Sequence, residues 1–220
     1  MQNLLIPNQI IKTKRKSISL IIKNNGDFIV RAPLNCNNDK IIDFINKKSD
    51  WIILKRTQNL SNIIKPLVVE NNAIIKILNK DYIIKLDAVS RGKIVDDTII
   101  ISNIDSKNKL IHFLKLFAKK YIKNRLEVLS SQHNFNLENF SITSAKTCWG
   151  SCSFNNKLHF TYKLLLCPPE VVDYIIIHEM CHTKIKNHSS KFWNLVKFYC
   201  PDYKICEKWL KTNRGITEII

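Results

Sequence analysis

VVDYIIIHEMCHTKIKNHSSKFW, residues 171–193, is the stretch on which the reading of this 220-residue chain turns. Within it His178-Glu179-Met180-Cys181-His182 forms an H-E-x-x-H pattern, led in by the apolar run Tyr174-Ile175-Ile176-Ile177. On an α-helix, residues i and i+4 lie one above the other, so His178 and His182 can reach one cation from a single face. Neutral imidazole suits Zn²⁺, which in hydrolytic sites takes a third protein ligand and keeps a fourth position open. Glu179 stands about 100° further round the helix. From there its carboxylate can take a proton from a metal-activated water, which makes it the candidate general base. The apolar lead-in predicts a buried helix. Pro168-Pro169-Glu170 predicts its start, because proline is tolerated in the first turn and a carboxylate favours the positive end of the dipole.

A third imidazole, His188, follows six residues after His182. A helix running on through Lys186 would carry position 188 away from the metal, so the chain must turn. Asn187 is suited to the left-handed conformation that ends helices, and Ser189 or Ser190 can cap the next one. The expected metal set is therefore His178, His182 and His188, with Glu207 on a later helix as the rival third ligand.

The composition bounds what this site can serve. The formal charge is +17, from 29 lysines and 6 arginines against 18 acidic residues. A bias towards Lys, Ile and Asn would leave the same excess, so the charge reads as a solvated surface or as attraction for nucleic acid or nucleotides. Sparse arginine argues against a base-reading face. Seven cysteines with no C-x-x-C pair do not make a secreted disulfide framework. Cys148 and Cys152 would share one face of a strand, where small buried residues are expected. At the N-terminus apolar residues precede the basic cluster, the reverse of a secretory signal. No apolar run approaches the length of a membrane span. A soluble, cytoplasmic protein is the expectation.

Along the chain, Ser17–Ile22 and Asp27–Arg31 flank Lys23-Asn24-Asn25-Gly26 and predict a hairpin. Helical spacing from Asp39 to about Leu60 predicts one amphipathic helix, with Trp51 in the core and Arg31 on the surface. Strands follow at Ala73–Leu78, Tyr82–Leu86 and Thr98–Ser102, with turns at Asn79–Asp81 and Ser90–Gly92. Ser106–Lys109 marks a domain boundary, giving an N-terminal α+β region over 1–105 and a catalytic domain over 106–220. The second domain opens on a long helix to about Gln132. Strands at Phe140–Thr143, Thr147–Phe154 and Lys157–Tyr162 then make a small antiparallel sheet. Beyond the metal helix come a helix holding Phe192, Trp193, Val196 and Phe198, and a last one around Ile205–Leu210. The fold class is α+β.

Lys146-Thr147-Cys148-Trp149-Gly150-Ser151-Cys152-Ser153, the Pro-Pro-Glu start, H-E-x-x-H and Asn187-His188-Ser189-x-x-Phe192-Trp193 occur here in one order. In that order the chain resembles the YgjP-like metallopeptidase family, relatives of the SprT-like zincins. The resemblance implies a zincin-like domain, zinc on His178, His182 and His188, and Glu179 as general base. It also implies that the Trp149–Ser153 strand rims the cleft and can pair with an extended peptide. Trp149 and Trp193 are large enough to be core. A peptide or protein substrate follows. Hydrolysis of a nucleotide phosphoanhydride is the alternative on the same site, although no glycine-rich phosphate loop supports it. A nucleic-acid-associated module of SprT type is the reading from another class, and salt-dependent binding along Lys115, Lys119 and Lys123 would mark it.

Overall fold

The computed structural model describes residues 5–23, 25–61, 66–88, 92–136 and 139–220. It divides into two units, Met1–Ile64 and Lys65–Ile220. In the first, strands β1 (Gln9–Thr13), β2 (Ser19–Ile22) and β3 (Phe28–Pro33) precede helices α1 (Asn38–Lys47) and α2 (Ser49–Ser61). The hairpin forms with Ser19 opposite Arg31 and Ile22 opposite Phe28. Gly26 turns it at φ 81; Asn24 lies outside the described residues. β3 is central, because β1 lies parallel along its other side. β1 escaped the sequence reading since four of its five residues are exposed, which leaves no alternation to detect.

Phe28, Val30 and Ala32 point from β3 into a core shared with Ile41, Ile45 and Ile52. The single helix expected after Asp39 is two. Lys48 leaves the helical region at φ −115 and ψ 11, and Ser49 restarts it with Asp50 in the first turn. After that break Ile52 faces inward, and Trp51 is 46% exposed rather than core.

The second unit begins with β4 (Ile74–Ile77), β5 (Lys80–Asp87), β6 (Lys93–Val95) and β7 (Thr98–Ser102). They form a sheet of order β4-β5-β7-β6 in which β5 and β7 run parallel. Leu78 and Asn79 both have positive φ, the geometry of a two-residue hairpin turn. Of the turn expected at Ser90–Gly92, Ser90 and Arg91 lie outside the described residues. Ile75, Ile77, Ile84, Ile99 and Ile101 share one core with Leu110 and Leu114 of the long helix α3 (Ser106–His133). The units accordingly divide after residue 64 rather than at 106. This sheet has one apolar face, and α3 covers it.

α3 buries Leu110, Leu114, Ala118, Ile122, Leu126 and Leu129, a stripe at helical spacing. Then come β8 (Phe140–Thr143), β9 (Gly150–Cys152), β10 (Leu158–Thr161) and a 3-10 turn over Tyr162–Leu166. The small sheet is mixed rather than antiparallel throughout. Its order is β8-β10-β9, with β10 antiparallel to β9 and parallel to β8. The hairpin at Asn155-Asn156 makes β10 central and leaves β9 at the edge. Helices α4 (Pro169–Cys181), α5 (Ser190–Tyr199) and α6 (Tyr203–Thr212) complete the unit. Arg125 of α3 donates two hydrogen bonds of 2.8 Å to Asp173, locking the long helix to α4. Among the described residues no helix is long and apolar enough to cross a membrane.

Candidate metal centre

α4 is buried on almost every side: Val171, Val172, Tyr174, Ile175, Ile176, Ile177, Met180 and Cys181 are all in the core. Pro169 opens it with Glu170 in the first turn, as the sequence predicts. His178 and His182 share one face near its C-terminal end. The chain then turns through Thr183 and Lys184, with Ile185 N–H donating to the Cys181 carbonyl at 3.0 Å. Asn187 does not take the left-handed conformation expected of it. Its side-chain oxygen instead accepts from Ser189 N–H at 3.2 Å, which closes the corner without glycine. Ser189 is the N-cap residue of α5, but its side chain makes no capping bond.

The corner brings three ring nitrogens together. His188 Nε2 lies 3.1 Å from His182 Nε2 and 3.2 Å from His178 Nε2. Among the described residues these three are the group of side chains that could hold a metal ion. A carbonyl can only accept, so the 3.0 Å contact between His182 Nδ1 and the Ile185 carbonyl puts the proton on Nδ1. The His182 Nε2 lone pair is thereby turned towards the other two rings. Three imidazole nitrogens on a tetrahedral cation at about 2.0–2.1 Å would stand about 3.3 Å apart. The observed spacing and the all-imidazole donor set fit Zn²⁺.

Electrostatics point the same way. Burial, then the neighbouring His182 and His188, push the His178 pKa down to about 3. Burial also lowers that of His182, against the pull of the Ile185 carbonyl. Both rings are therefore neutral at pH 7, the state in which imidazole binds metal. His178 Nδ1 is buried without a partner among the described residues. Glu179 is only 5% exposed, and burial raises its carboxyl to about 8 when no cation is near. A carboxylate so placed will take up a proton readily.

Aromatic rings wall the site, a feature the motif does not encode. Phe192 stacks on His182 at 4.3 Å between centroids, and Trp193 stacks on His188 at 5.7 Å. Trp193 in turn stacks on Tyr203. Trp149 and Trp193 are half-buried rather than core. Lys186, also missed in the sequence, reaches from the corner to the β9–β10 turn. Its ammonium donates to the Ser153 carbonyl and to Asn156 Oδ1, both at 2.6 Å. No local pattern could have revealed it, since its partners lie some thirty residues back.

Other candidates fall elsewhere. Glu207 pairs with Lys211 at 3.0 Å and is outside the histidine cluster. Cys148 is exposed rather than buried, and Cys152 is half-buried. Of the lysine stripe on α3, Lys115 lies over the Tyr162 ring and Lys123 pairs with Glu127 at 3.7 Å.

A family model described as YgjP-like, metallopeptidase domain, matches residues 16–213. Among solved structures, the chain is similar to the metallopeptidase zymogen jannalysin of Methanocaldococcus jannaschii. The two are 31% identical, over 40% of this chain and 96% of that one, with a TM-score of 0.34. No curated protein matches the chain.

Proposed function

The chain belongs to the YgjP-like metallopeptidase family, and from that premise we propose that it is a zinc-dependent peptidase working through His178, His182, His188 and Glu179. Its class is thus a metal-dependent hydrolase of peptides or proteins. The observation that carries the finer reading is the convergence of three Nε2 atoms beside a buried glutamate. The neutral rings of His178 and His182, with His188 from the corner, would hold the cation. When bound, zinc supplies a Lewis acid for the scissile carbonyl and lowers the pKa of water towards about 7.

The chain's own residues do the rest. Glu179 takes a proton from the attacking water and passes it to the leaving amine. Its burial keeps bulk water from competing for that proton. Among the described residues β9 is bonded to β10 on one side only, so its outer edge offers backbone groups to an extended peptide by strand addition.

The test is hydrolysis of a peptide library by zinc-loaded protein, with a chelator control and the Glu179→Gln variant. Glutamine keeps the shape but cannot accept the proton. The variant should retain zinc and lose about 10²–10⁴-fold in rate. Turnover at the parent rate would remove Glu179 from the mechanism.

A further inference from the structure

The edge strand β9 carries a glycine at its first position, and this glycine is not there for its backbone. Gly150 has no positive φ; among the described residues Gly26 is the glycine that does. Within a strand, glycine costs conformational entropy and packs nothing, so its presence marks a close approach by another group. Here that group is Glu179. A Cβ built on Gly150 would lie 2.7 Å from Glu179 Cγ, 2.9 Å from its Oε1 and 3.1 Å from its Cδ. Such contacts are shorter than packed atoms tolerate, and the nearest involves the inner part of the side chain rather than its free end.

Glu179 has little room to yield. It is 5% exposed, and its helix neighbours Ile175, Ile176 and Met180 are all in the core. β9 is held in turn, because Gly150 and Cys152 pair with Phe160 and Leu158 of β10, both fully inside. The carboxylate is therefore fixed between the bare backbone of one strand and the packed face of α4.

We propose that Gly150 is a positioning residue, whose missing side chain lets β9 close over Glu179 and hold its carboxylate in one orientation for proton transfer. This rests on the reading of Glu179 as general base. It adds that the edge strand which would receive substrate also aims the base. A methyl group at position 150 turns the carboxylate aside, while the atoms it meets most closely all belong to Glu179 and none to the three histidines, which stay free to bind metal.

The test uses the full chain loaded with zinc and fluorescein-labelled casein as probe. Gly150→Ala should keep one zinc per chain and an unchanged KM while kcat falls about 100-fold, the scale expected of an ångström's misplacement. Glu179→Ala removes the Cγ that the new Cβ meets, so adding Gly150→Ala to that variant should cost no further activity. A second measurement needs no turnover. In metal-free protein, Gly150→Ala should lower the urea midpoint, and the same change in a Glu179→Ala background should not. A kcat within twofold of the parent, or an equal midpoint drop in both backgrounds, overturns the proposal. Failure of the base assignment looks different: Glu179→Gln would then turn over at the parent rate. If Glu179→Gln is inactive and Gly150→Ala is not, the base stands and the role of Gly150 falls.

Discussion

Phe192→Ala probes the site through a residue that is not a ligand. The Phe192 ring is fully buried, stacks on His182 at 4.3 Å, and stands edge-on to His178 and His188 at 4.9 Å each. Truncating a buried phenylalanine costs about 3–5 kcal/mol, from lost transfer energy and the cavity left behind. That loss is expected in metal-free protein. A second loss appears only with zinc, because the same ring is the wall against which all three imidazoles rest. Removing such support lowers metal affinity by about 10–100-fold, or about 1.4–2.7 kcal/mol. Urea unfolding with and without a fixed free zinc concentration separates the two terms, and chelator competition gives the affinity directly. Phe198→Ala is the control, since that ring is 76% exposed on the same helix; it should cost no more than about 0.5 kcal/mol. A loss below about 1 kcal/mol in metal-free Phe192→Ala would refute the packing argument. Unchanged zinc affinity would refute the wall.

Two further outcomes follow from the same geometry. The stability of metal-free protein should peak in mildly acidic solution. The depressed His178 pKa contributes stability that is full above its ordinary 6.5 and is lost as pH falls towards about 3. The raised Glu179 pKa contributes stability that is full below its ordinary 4.5 and is lost as pH rises towards about 8. Thermal unfolding from pH 3 to 9 should show both limbs, Glu179→Gln should flatten the alkaline one, and a flat profile in the parent would contradict the assignment. Lys186→Met should free the β9–β10 turn that its ammonium anchors. Faster amide exchange over 150–158 with zinc retained is the expected result, and unchanged exchange would make the contact incidental.

The legible parts of the chain were those where one helix or one tight turn carries the pattern. The face shared by His178 and His182, the proline start of α4 and the apolar stripe of α3 follow from 3.6-residue geometry and appear as read. The corner placing His188 was foreseen in outcome but not in means, because Asn187 works through its side chain rather than a left-handed backbone. What the sequence hid depends on partners distant in the chain. β1 has its register set by β3, and the parallel pairing of β8 with β10 is decided by where β9 folds. The boundary expected at 106 marked a loop but not a division of the core, since Ile99 and Ile101 pack with Leu110 and Leu114 across it. Gly150 reads in sequence as one more residue of the Thr147–Phe154 strand, and only the approach of Glu179 gives it another meaning.

X-ray absorption at the zinc K-edge tests the central claim most directly. Protein purified with stoichiometric zinc should show a first shell of nitrogen and oxygen alone at about 2.0–2.1 Å, with the outer-shell pattern of imidazole. His188→Ala should lose zinc or lose one imidazole from that pattern, whereas Glu207→Ala should do neither. A sulfur shell at about 2.3 Å would instead hand the cation to cysteine, and the peptidase centre at His178, His182 and His188 would be contradicted.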